Sequence, residues 1–171
     1  MAGATSANAR GHCATCQVNR NNEHHLSDHY GRGNVFIGVD SIAPGAKFPD
    51  ELERTLASCD AVVVVIGIQW VKIADDRGQR RLDKPADFVR REVAAALSRD
   101  IVVLPVLVGG AQMPEADELP ADLQLLGSRQ AFALPDVAFR TSVKELIQAL
   151  DRIISRRVAA SRGAAAGEGE P

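Results

Sequence analysis

Five aliphatic residues in succession, 62–66, reading VVVVI, constrain this chain more than any other stretch. The run is too short to span a bilayer and too rich in β-branched side chains to favour a helix, so it is read as a strand covered on both faces. Such a strand needs one layer of helices above it and another below. Gly67 ends the run, and a polar loop follows that contains Trp70 and GQRRLDKP. The loop leads into DFVRREVAAAL, a helix in which Val89, Val93, Ala96 and Leu97 recur at helical spacing and face the sheet. Asp83 or Asp87 can cap this helix, and Pro85 fits its first turn, where a missing N–H costs nothing. Phe88 and Glu92 are four residues apart, so they stack one above the other at the margin of the apolar stripe. An aromatic beside a carboxylate suits a small-molecule site.

The remaining apolar segments repeat this alternation. Residues 34–40 read as a short strand, and the loop after it is bent by Pro44 and Gly45. In the next helix Phe48, Leu52, Leu56 and Cys59 share one face, which makes Cys59 a buried core residue rather than a nucleophile. A second apolar run, IVVLPVLV at 101–108, is closed by Gly109 and Gly110; its Pro105 is expected near the carboxyl end, where no ladder donor is needed. A short helix at 121–126 and a strand at 130–134 follow. The last helix carries Ser142 and Glu145 in capping-box spacing, with Phe139, Val143, Leu146, Ile147, Leu150, Ile153 and Ile154 as its apolar stripe, and it is expected to end near Arg157. Strands alternating with helices imply a parallel sheet that binds ligands at the carboxyl ends of its strands. The loops at 40–47 and 67–85 both leave from those ends and should form one crevice, with Glu92 on the helix behind the second.

Length and composition narrow the function. A chain of 171 residues holds one domain, expected at 26–157, with a poorly ordered segment at 1–25 and a disordered tail at 158–171. A net charge of -2 and only 4% aromatic residues argue against nucleic acid and anionic membranes as partners. Three unevenly spaced cysteines make no disulfide framework, and no apolar leader or spanning segment occurs, which together suit the cytoplasm. Cys13, Cys16, His24, His25 and His29 lack zinc-finger spacing, so no metal site is expected. Gly31 and Gly33 precede a strand instead of following one and belong to no dinucleotide fingerprint; a Walker-type loop is absent too.

Taken together, NVFIGVDSIAPGAKFPDELERTLASCDAVVVVIG, then QW, then DDRGQRRLDKPADFVRREVAAAL, then IVVLPVLVGGAQMP resembles the bacterial branch of the Toll/interleukin receptor (TIR) domain family, in that family's order and spacing. The resemblance covers about residues 26–154. It implies a flavodoxin-like α/β fold, a parallel sheet with helices on both faces, and two uses in bacterial immune signalling: self-associating scaffolds, and enzymes that cleave the nicotinamide glycosidic bond of NAD. In catalytic relatives a glutamate occupies the position matched by Glu92. Ile42, Pro44 and Gly45 fall in the family's interaction loop, and Phe48 and Phe88 fall where relatives place residues near the dinucleotide. Trp70, Arg81 and Asp83 belong to the same motif-bearing loop and complete the expected substrate-binding set; Trp70 is read first as packing this loop onto the sheet, and Arg81 and Asp83 as either holding the crevice together or meeting phosphates. NAD would be a substrate, so no cofactor is implied, and other TIR domains are the implied partners.

One feature of the family is not matched. TIR domains begin with an apolar strand in the middle of the sheet, whereas ANARGHCATCQVN has no residues suited to a position buried on two faces. The first strand is therefore expected to be degenerate or missing, as a changed start site or reading frame near residue 24 would produce. Gly38 likewise stands where relatives often carry an acidic residue.

Overall fold

Every residue of the strand Ala61–Ile66 is buried, and its alternating side chains feed two separate cores. Val62, Val64 and Ile66 enter one cluster, and Ala61, Val63 and Val65 enter the other. A computed structural model of the chain describes residues 4–7, 13–15, 20–31, 34–37, 53–54, 56–99 and 101–166. Six strands are present among them: β1 Ala4–Ala7, β2 Cys13–Thr15, β3 Val35–Ile37, β4 Ala61–Ile66, β5 Val102–Val108 and β6 Phe132–Leu134. The helices are α1 Arg20–Tyr30, α2 Phe88–Leu97, α3 Gln124–Gly127 and α4 Phe139–Ala166.

Strands β2 to β6 are mutually parallel, in the spatial order β3-β2-β4-β5-β6. Counted from β2, this is the 2-1-3-4-5 order of flavodoxin-like, doubly wound sheets. Helices cover both faces. Val93, Ala96 and Leu97 of α2 pack with Leu56, Trp70, Leu82, Leu123 and Leu126 over one side, while Leu26 of α1 and Val143, Leu146 and Leu150 of α4 pack over the other. Burial of each Val or Leu side chain contributes about 1.5–3 kcal/mol, so the two faces of β4 supply a large share of the driving force.

The slot between β3 and β4 is taken by short segments of small residues. The three residues of β2, reading CAT, pair with β3 through Cys13 and Ala14 and with β4 through Ala14 and Thr15. Antiparallel β1 pairs with β2, β3 and β4 as well. The first strand is thus degenerate rather than missing, and the expected boundary at residue 25 falls inside α1. Cys13 lies in β2 and His24, His25 and His29 lie in α1, while Cys16 is outside the described residues.

Three local expectations are corrected. Pro105 sits at the centre of β5, opposite Val64, not at its carboxyl end. The ladder with β6 begins only at Val106, which leaves a position where a missing donor is tolerated. Helix α4 starts at Phe139, so Ser142 is no cap; its hydroxyl instead donates back to the Ala138 carbonyl at 3.4 Å. Phe139 packs against the second core, and this tertiary contact carries the helix one turn past the local signal. At its other end α4 runs to Ala166, beyond the expected stop at Arg157, through an alanine-rich stretch of high helix propensity. The helix expected at 48–59 is visible at residues 53–54 and 56–57, with its remainder outside the described residues. Cys59 is buried, as expected of a core residue.

Candidate functional site

Gly67 closes β4, and the chain then builds a braced loop rather than an open one. The Trp70 amide donates to the Gly67 carbonyl at 2.9 Å, which turns the chain at once and sends the indole into the first core, 2% exposed. A small hairpin follows, with an antiparallel bridge between Ala74 and Arg80 and Gly78 at a φ of +76°. Asp75 organises its tip: Oδ1 accepts from the amides of Arg77 and Gln79, both at 2.9 Å, and Oδ2 pairs with the Lys84 ammonium. The Lys84 hydrogen bond, followed by that from Gln79, holds the Asp75 carboxyl below the usual carboxylate range.

Beyond the hairpin, Arg80 and Asp83 form a two-pronged ion pair at 2.6 and 3.0 Å, which lowers the Asp83 pKa and raises that of Arg80. Arg80 also donates through Nη1 to the Glu118 carbonyl at 2.7 Å. Arg81 Nε is 2.8 Å from Asp87 Oδ2. Asp87 is the N-cap of α2, its side chain accepting from the amides of Val89 and Arg90. Of the two capping candidates Asp87 is therefore the cap, Asp83 belongs to a 3-10 turn, Arg81–Asp83, and Pro85 lies ahead of the helix.

A recess opens at this end of α2, lined by Trp70, Ile73, Arg81, Leu82, Asp87 and Val89. Its interior has about 10 Å³ of room, the space of one water. Trp70 Nε1 is buried with no hydrogen-bond partner among the described residues, and the recess mixes apolar Ile73, Leu82 and Val89 with the paired Arg81 and Asp87. Glu92 lies one turn further along α2 and is 7% exposed, the one buried acidic side chain of that helix. Phe88, four residues before it, is 41% exposed, so the pair is split between surface and interior instead of lying together at a margin.

The structure thus brings Trp70 and Arg81 to one recess and seats Asp83 outside it, engaged with Arg80. Phe48, Ile42, Pro44 and Gly45 lie outside the described residues. Sequence reasoning missed Asp75 and Lys84 as the brace of the loop, and it missed the bond between Arg90 and Asp122. The first pair was within reach, since acidic and basic residues bracket a Gly-containing hairpin; the second joins residues 32 apart and has no local signal. Among the described residues no group of three or more His, Cys, Asp or Glu side chains is placed to hold a metal. None of their helices is long and apolar enough to cross a membrane. No protein-family model and no curated protein matches the chain.

Proposed function

We propose that this chain is a TIR-domain signalling protein that hydrolyses the nicotinamide glycosidic bond of NAD in the cytoplasm, with Glu92 as the acting carboxylate. The observation that carries the reading is the burial of Glu92 on α2, the helix that follows the central strand and begins beside a recess lined by Trp70 and Arg81. A carboxylate on a packed helix face has to be paired or hydrogen-bonded there, and functional sites are where such buried ionisable groups concentrate. The chemistry asks for one carboxylate. Nicotinamide departs from a positively charged ring nitrogen as a neutral molecule, so no general acid is required, unlike the two-carboxylate hydrolysis of ordinary glycosides. What lowers the barrier is negative charge near the ribose as an oxocarbenium-like state develops, and Glu92 supplies it. Water then attacks the anomeric carbon, loses its proton to solvent and gives ADP-ribose. Incubation of concentrated protein with NAD, with nicotinamide release followed by chromatography, tests the reading; no release above a heat-treated control would reject it.

A second reading rests on the same resemblance: a non-catalytic scaffold that acts by self-association through the segment containing Ile42, Pro44 and Gly45, which lies outside the described residues. On that reading Pro44→Ala and Gly45→Glu reduce assembly in light scattering, and an unchanged assembly state in both variants would reject it.

A further inference from the structure

Arg90 is the point at which three segments meet at the amino end of α2. Its Nη1 donates to the carbonyls of Leu82 at 3.2 Å and Asp83 at 3.1 Å, its Nε donates to Asp122 Oδ2 at 3.0 Å, and its own amide is held by Asp87 Oδ1 at 3.3 Å. The Arg90 side chain is only 16% exposed and its bond to the Leu82 carbonyl is part-buried, while Asp122 is 41% exposed and that ion pair stays open to solvent. Arg80 makes a parallel tie, through Nη1 to the Glu118 carbonyl and through the ion pair to Asp83. Two arginines thereby join the loop after β4 to the segment after β5. No ladder pairing connects these two segments.

An α-helix advances about 100° per residue, so Arg90 and Glu92 project from nearly opposite sides of α2. Arg90 is anchored to the flanking loops on one side, and Glu92 is buried on the other. We propose that Arg90 is a positioning residue: a three-way clamp that fixes the rotation of α2 against the turn at 81–83 and the 3-10 turn Ala121–Leu123, and through that rotation fixes the Glu92 carboxylate. The consequence for catalysis rests on the reading of Glu92 as the acting carboxylate, whereas the clamp itself does not. A planar guanidinium can hold two carbonyls from one nitrogen and a carboxylate from another at the same time. A lysine at the same position keeps the charge and cannot span all three acceptors.

The test uses the full chain with Arg90→Gln, Arg90→Lys and wild type. In Arg90→Gln, amide hydrogen exchange rises about tenfold or more at 81–92 and 121–123 while the amides of β4 and β5 keep their wild-type protection, the result expected when hydrogen bonds to a charged group are lost locally. Arg90→Lys falls between. The 13C signal of the Glu92 side-chain carboxyl at neutral pH moves in Arg90→Gln and moves less in Arg90→Lys. If NAD is cleaved, kcat falls about tenfold in Arg90→Gln with KM held within about twofold, the pattern of a misplaced catalytic group rather than lost substrate binding. Unchanged exchange at 81–92, or a rise spread equally over β4 and β5, overturns the clamp. An unmoved Glu92 carboxyl signal overturns the positioning role whether or not NAD is cleaved. A wild-type protein that releases no nicotinamide, with the exchange and carboxyl results as expected, removes the NAD reading and leaves the clamp standing.

Discussion

Arg81 and Asp87 are joined through Nε and Oδ2 at 2.8 Å, while the other oxygen of the same carboxylate caps α2. One side chain therefore satisfies two orphan amides of the helix and anchors the loop that precedes it. Replacing Asp87 with Ala removes both roles and should destabilise the protein by about 2 kcal/mol or more in urea unfolding. Asn caps a helix about as well as Asp but loses the charge and the acceptor that meets Arg81, so Asp87→Asn keeps one of the two roles and should cost clearly less than Asp87→Ala. Equal losses in the two variants would mean that the cap has no part in the effect.

The packing of α2 and α3 gives a second, internally controlled expectation. Leu123 is fully buried in the first core, and Leu125, two residues on, is 60% exposed. Leu123→Ala should cost about 2–5 kcal/mol by leaving a cavity, while Leu125→Ala should stay within about 0.5 kcal/mol. Comparable losses at both positions would contradict the placement of the turn Ala121–Leu123 and of α3.

Acid should loosen the loop before the sheet. Asp75 and Asp83 both have carboxyls held below the usual range, by Lys84 and by Arg80 respectively. A group whose folded pKa is depressed contributes stability that is fully present above its unfolded value, about 3.9, and lost as pH falls through the lower folded value. Wild type should therefore lose stability below about pH 4 more steeply than the double variant Asp75→Asn, Asp83→Asn. Parallel pH profiles for the two proteins would show that these ion pairs do not couple to folding.

Much of this architecture was legible, and the parts that were not share a physical cause. The run 62–66 could be read because a strand buried on both faces writes itself as contiguous β-branched residues, and its two-sided packing follows from alternation alone. Asp87 could be narrowed to one of two caps by local spacing. The start of α4 could not be read correctly, because Ser142 offers a good local cap and only the packing of Phe139 overrides it. The contacts of Arg90 with Asp122 and of Arg80 with the Glu118 carbonyl depend on two loops meeting in space, which no periodicity records. Strand β1 has no legible signal and β2 is legible only as a degenerate first strand, since ATSA and CAT lack both apolar alternation and β-branched content beyond their threonines.

That weakness in the first strand is itself testable. Ala14 pairs with Phe36 of β3 and Val62 of β4, a central position held by a residue of low strand propensity. Ala14→Val should stabilise the chain by about 0.5–1 kcal/mol and raise the melting temperature by about 2 °C. An unchanged or lower melting temperature would indicate that the strand gains nothing from a better strand former.

The most direct measurement is nicotinamide release from NAD by Glu92→Gln set beside wild type at equal concentration. Glutamine keeps the size of the side chain, exchanges one acceptor oxygen for an amide donor and removes the charge on which the oxocarbenium-like state depends. Wild type should release nicotinamide, and Glu92→Gln should release it at least about 100-fold more slowly with a melting temperature within a few degrees of wild type. Wild-type rates of cleavage in the glutamine variant would contradict this role of Glu92.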